Sequence, residues 1–135
     1  MRRVFADSNV FLRLLTEDDR NHHRRAVRLF EDAEAGRVRL VAGPPVIFEV
    51  AWTLRSAYKV SREDVLEVIG RLLATPGLEL TDRSLVVEAL RRARDSGQEF
   101  ADAYIAASVE AADCDAIATF NRQHFKKLGV EIYRF

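Results

Sequence analysis

A single cysteine, Cys114, rules out an internal disulfide, and the chain has no CxxC or Cys/His spacing of the zinc-binding kind. A reducing compartment suits such a chain, and a cytoplasmic location is the expectation. An excess charge of either sign is also lacking: 21 Lys and Arg stand against 21 Asp and Glu, for a formal net charge of zero. That argues against capture of polyanions by bulk charge and leaves only a local patch for the purpose. No apolar run is long enough to cross a bilayer. Arg2-Arg3 does not head a signal peptide, because Asp7 interrupts the apolar run that would have to follow. The expectation is a chain with neither leader nor membrane contact. Repeats, linkers and low-complexity tracts are missing too. What is left is 135 residues, a length that suits one domain whose core needs no disulfide or structural metal. Residues 1–135 are read as that one domain.

Strand and helix signals alternate along it. Arg3 to Ala6 reads as a short buried strand, followed by helical patterns from Asn9 to Leu15 and from Asn21 to Ala35, the second closed by Gly36. Arg39 to Ala42 is a second strand. Gly43-Pro44-Pro45 opens a helix to about Tyr58, since proline is tolerated in a first turn. Ser61 caps a helix that Pro76-Gly77 ends, and Leu78 to Leu80 is a strand. Helices from Leu85 to Asp95 and from Glu99 to Ala112 follow, then a strand at Ala116 to Thr119, a short helix from Asn121 to Lys127 and a last strand at Glu131 to Tyr133. Alternation of this kind implies an α/β protein with a central parallel sheet of about four to five strands between layers of helix, the first strand central.

Three acids interrupt this plan. Asp7 stands between the apolar runs Val4-Phe5-Ala6 and Val10-Phe11-Leu12. Asp, Ser and Asn all cap helices, so Asp7-Ser8-Asn9 reads equally as a helix start or as a functional carboxylate at the carboxyl end of a strand, where open α/β sheets bind ligands. Glu49 falls on the stripe Val46, Val50, Thr53 and Ala57; Asp102 falls on the stripe of Ile105, Ala106 and Val109. An unpaired carboxylate is costly to bury, although a first-turn acid is also favoured by the helix dipole. Helix starts and strand carboxyl ends share one edge of a parallel sheet, so all three acids can converge there. Converging carboxylates without a matching basic residue make an oxygen site for Mg²⁺ or Mn²⁺.

The pieces "FADSNVFLRLL", "GPPVIFEVAWTL" and "EFADAYIAASVEAADCDAIATFNRQHF", with the closing "LGVEIYRF", resemble the PIN-domain ribonucleases, and among them the VapC-type toxins of VapBC toxin–antitoxin modules. The order and spacing span nearly the whole chain. The resemblance implies an α/β/α sandwich and metal-dependent hydrolysis of an RNA phosphodiester, leaving a 5′-phosphate and a 3′-hydroxyl. It makes Asp7, Glu49 and Asp102 the catalytic acids and ligands of Mg²⁺ or Mn²⁺. The family's usual fourth acid, in a Thr-Phe-Asp pattern, is replaced at Thr119-Phe120-Asn121. The Asn121 amide oxygen offers a weak or water-mediated ligand without charge. Ser8 and Asn9 stand as supporting residues, each also explained by helix initiation. The resemblance further implies a homodimer, an RNA substrate and a cognate VapB-like antitoxin whose C-terminal segment lies over the active-site groove.

Other residues bear two readings. His22 and His23 sit among arginines and read as surface residues; His124 reads as solvated or as an RNA contact. Arg13, Arg24, Arg25 and Arg28 suit phosphate, but a solvated helix face explains the last three as well. Trp52 reads as core or dimer interface. Asn121 motivates an alternative function, a PIN-like RNA-binding module with impaired catalysis. A phosphatase or phosphate-receiver domain on the same kind of sheet is remote, since Asn9 stands where a second acid would be wanted.

Overall fold

The computed structural model describes residues 1–135. The elements follow in the order β1 (Arg2–Phe5), α1 (Ser8–Leu15), α2 (Arg20–Glu34), β2 (Val38–Ala42), α3 (Pro44–Ser56), α4 (Arg62–Leu73), β3 (Leu78–Leu80), α5 (Arg83–Ser96), α6 (Phe100–Ala111) and α7 (Arg122–Lys127). The helices begin where the sequence supplies oxygen acceptors or proline. The Asp19 carboxylate accepts from the His22 N–H at 3.0 Å, and the Ser61 hydroxyl accepts from the Asp64 N–H at 3.1 Å. Pro44 and Pro45 occupy the first turn of α3 behind Gly43.

The three strands are parallel in the order β1-β2-β3, with Val4 opposite Leu40 and Leu40 opposite Leu78. The ladder runs one residue past each strand: the Ala6 N–H donates to the Val41 carbonyl at 2.8 Å, and the Thr81 N–H donates to the Ala42 carbonyl at 2.9 Å. Asp7 therefore leaves the last rung of the sheet, at the edge where Gly43 starts α3. Rigid pairing up to that point is what fixes the direction of the Asp7 side chain.

The sheet is smaller than the expected four or five strands, and β2 rather than β1 is its centre. The stretches read as further strands, 116–119 and 131–133, meet each other in one parallel bridge, Ile117 to Ile132, outside the sheet. Two of the four residues at 116–119 are alanine, which gives a strand little side chain to pack on a neighbour. Phe5 is consequently 63% exposed on the open edge strand.

A core of 26 buried residues lies between sheet and helices. Phe11 of α1 is fully buried, with its ring edge-on to Phe30 of α2 at 5.5 Å. Full burial of a phenylalanine contributes roughly 1.5–3 kcal/mol, so α1 is anchored one turn beyond Asp7. The helices that carry the other two acids are tied as well. Arg55 of α3 grips Glu99, the residue before α6, at 2.8 Å. Arg92 of α5 bridges Glu88 at 2.9 Å and Glu110 of α6 at 2.6 Å. Arg91 and Arg92 together hold the Glu88 carboxyl down to about 2. No helix is long and apolar enough to cross a membrane.

Candidate metal centre

Asp7 caps α1: its Oδ1 accepts from the Ser8 N–H at 2.7 Å. The cap does not exclude the functional carboxylate posed as its alternative, because a cap uses one lone pair and leaves the other oxygen free. Ser8 is 4% exposed, the one buried polar residue of the chain. Its hydroxyl donates to Glu49 Oε1 and lies 3.4 Å from Asp7 Oδ1. Two carboxylates, one from the end of β1 and one from α3, thus flank a single buried hydroxyl. Neither has an arginine, lysine or histidine partner within ion-pair distance.

The stripes assigned to Glu49 and Asp102 are corrected. The buried face of α3 is Ile47, Val50, Ala51 and Leu54, and Glu49 is exposed beside it. The buried face of α6 is Phe100, Ala103, Ala106 and Ala107; Ile105 is 42% exposed. Asp102 is half-buried, at 22% exposure of its side chain, with Oδ2 3.1 Å from Nδ1 of His124. These acids therefore pay no large burial penalty. They stand on the rim of the core rather than inside it.

α6 packs on α3 and α3 packs on α1, so the three acids lie on adjoining elements. As the side chains stand, no three acid, histidine or cysteine groups are clustered tightly enough to share an ion. Asp7 and Glu49 turn toward Ser8, and Asp102 turns toward His124. The donor chemistry fits a hard divalent cation: carboxylate oxygens, no competing arginine or lysine, and an exposed Asn121 whose side chain makes no capping bond.

A family model described as the PIN domain matches residues 4–131. The chain belongs to the PIN domain family. No curated protein matches it. PIN domains are generally metal-dependent nucleases. The fold of this PIN domain, a parallel sheet flanked by helices, is as expected apart from the sheet's size and strand order.

The remaining residues of interest sort by position. Asn9 is exposed and lines a groove of about 520 Å³ between α1 and α2, together with Arg13, His22 and Arg25. Arg13 is paired with Asp18 at 3.0 Å, while Arg24 and Arg28 lie on the exposed face of α2. His22 pairs with Asp19 at 2.9 Å on the surface. His23 departs from its surface reading: its side chain is only 25% exposed, and its Nδ1 lies 2.8 Å from the Arg13 carbonyl. Glu99 is spent on Arg55, so it adds no free charge to the metal centre. Trp52 is not core, being 58% exposed and stacked on Phe48 with ring centroids 6.4 Å apart.

Sequence reasoning missed two contacts here. The bond from Ser8 to Glu49 joins residues 41 apart, and nothing local signals it. The contact from His124 to Asp102 had a signal, a histidine one turn after Asn121, but solvation explained it equally well. Ser8 is a positioning residue for Glu49. Ser8→Ala is expected to lower metal-dependent activity about ten- to a hundredfold, as loss of an outer hydrogen bond to a ligand does. The Mn²⁺ concentration for half-maximal activity should rise with it while the melting temperature holds. An unchanged Mn²⁺ requirement would remove Ser8 from the site.

Proposed function

We propose that this PIN domain is a Mg²⁺- or Mn²⁺-dependent endoribonuclease, and that it serves as a VapC-like toxin of a toxin–antitoxin pair in the cytoplasm. The observation that carries the nuclease reading is the pair of carboxylates without a cationic partner, Asp7 and Glu49, at either side of the buried Ser8 hydroxyl, with Asp102 on the adjoining α6. Asp7, Glu49 and Asp102 would hold the cation, with Asn121 as a neutral or water-mediated ligand. When bound, such a cation offsets phosphate charge and lowers the pKa of water. The chain's own part is orientation. The β1–β2 ladder fixes Asp7, the Ser8 hydroxyl fixes Glu49, and His124 holds Asp102 by its Oδ2. No histidine is required as a base, and the products would carry a 5′-phosphate and a 3′-hydroxyl.

Two surfaces support the proposed partners. The α1–α2 groove combines the apolar Val10, Ala26 and Leu29 with Arg13 and Arg25, which suits an antitoxin segment that is apolar with acidic side chains. Trp52, Phe48, Tyr104 and Ile105 line an open apolar face beside Glu49. Contiguous apolar surface of this kind marks an interface, and a second copy of the chain is its proposed occupant. A monomer in sedimentation equilibrium would remove that pairing.

Cleavage of total RNA by the purified protein, free of any partner, tests the central claim. Discrete products are expected with Mn²⁺ or Mg²⁺ and none with EDTA. The absence of the usual fourth acid at Asn121 favours one other reading, an RNA-binding module without catalysis. Metal-independent binding by a folded protein that cleaves nothing would select it.

A further inference from the structure

The chain from Thr119 onward carries features that the carboxylate rim does not use. Phe120 is 87% exposed and Phe135 is 66% exposed, and their rings meet with centroids 5.2 Å apart at 60°. The core does not account for them: this stretch gives it Phe125 and Leu128, at 3% and 6% exposure, with Val130 and Ile132 packed against it. The aromatic pair stands in basic surroundings. Residues 119–135 contain Arg122, Lys126, Lys127 and Arg134 against the single acid Glu131, in a chain whose charges balance overall. None of the four cations has an acidic partner within ion-pair distance. Arg122 and Lys126, four residues apart on α7, share one face of it.

Position gives this patch its meaning. Phe120 immediately precedes Asn121, and His124 of α7 lies 3.1 Å from Asp102. The patch therefore adjoins the metal centre. Exposed rings that offer a π-face, among cations free to meet phosphate, are what an unpaired nucleic acid strand requires. An apolar protein partner would use the rings and leave the free cations unexplained.

We propose that Phe120 and Phe135 form a stacking platform for unpaired bases of single-stranded RNA, and that Arg122 and Lys126 meet the phosphates leading to Asp102. This rests on the nuclease reading only for the identity of the strand as substrate. Binding itself needs no cleavage.

The test is fluorescence anisotropy in EDTA with a fluorescein-labelled single-stranded RNA of mixed sequence. Phe120→Leu keeps the apolar bulk but loses the π-face, and is expected to weaken binding about tenfold. Phe120→Tyr should retain affinity. The double variant Arg122→Gln, Lys126→Gln should lower the slope of log K against log salt by about 1.4, at about 0.7 per phosphate on a single strand. All these side chains are exposed, so melting temperatures should not change. Equal affinity of Phe120→Leu and wild type would overturn the platform, as would failure of the wild type to bind. Conversion of a dimer to a monomer by Phe120→Leu, with RNA affinity unchanged, would do the same and assign the patch to a protein interface. Binding that depends on Phe120 without cleavage in Mn²⁺ would overturn the nuclease reading and support the platform. Cleavage indifferent to Phe120 would do the reverse.

Discussion

Asp7→Asn is expected to lower metal-dependent RNA cleavage by roughly a thousandfold, about 4 kcal/mol of transition-state stabilisation, without loss of the fold. The substitution separates the cap that Asp7 forms from the metal-binding role proposed for it. An Asn side chain still presents an oxygen to the Ser8 N–H, now 2.7 Å from Asp7 Oδ1, and Asn caps helices as well as Asp does. What it removes is the negative charge that a divalent cation needs. Asp102→Asn should behave alike. It keeps an acceptor near His124 and forfeits a first-turn charge on α6, a cost of about 0.3–1 kcal/mol. The measurement pairs cleavage in Mn²⁺ with thermal melting by circular dichroism. Full activity in either variant would end the carboxylate reading of the site. Lost activity with a melt lowered by many degrees would trace the loss to the fold rather than to the missing charge.

Part of this site was legible in the chain because its signals are local. Asp7-Ser8-Asn9 between two apolar runs marks a strand-to-helix turn whatever the tertiary structure, and Gly43-Pro44-Pro45 marks the start of α3; Glu49, expected in the first turn of that helix, lies in its second. The phase of a helix is less local. On α3, Val46, Val50, Thr53 and Ala57 and the true face Ile47, Val50, Ala51 and Leu54 share a residue and differ by a rotation. Both are apolar because one side meets the core and the other bears the exposed Trp52 patch. A helix that is apolar on two sides has weak directional preference, and only packing against α1 and α4 selects one. α6 has the same ambiguity, being alanine-rich with Ile105 turned outward. Strand pairing was beyond reach for a related reason. Residues 116–119 have the apolar composition of a strand, but forming a ladder depends on what lies alongside, and here that is a single bridge to Ile132.

The same dependence on distant neighbours makes Gly77→Ala the most destabilising single methyl we expect in this protein. In the sequence, Gly77 is one half of a turn with Pro76. In the fold its φ is +79°, and a Cβ there would lie 2.3 Å from the carbonyl oxygen of Ala33, at the end of α2, and 2.5 Å from its carbon. These are backbone atoms, so no rotamer change relieves the overlap; α2 has to move away from β3. The left-handed conformation adds about 1–2 kcal/mol for any side chain, and forced overpacking adds about 1–3 kcal/mol. Together they reach about 2–5 kcal/mol, against a total of about 5–15 kcal/mol for a domain. The melting temperature should fall by roughly 10–20 °C. Gly36→Ala is the matched control: its φ is also +79°, but nothing lies within 4 Å of the added methyl, so it should show the backbone cost alone. If both variants melt together, the close approach of α2 to the start of β3 is wrong. If Gly77→Ala is far the weaker, that contact sets how β3 meets β2, where the Leu40 N–H donates to the Gly77 carbonyl at 3.0 Å. The pairing of β2 with β1 then carries the alignment to Ala6 and to the Asp7 carboxylate beyond it.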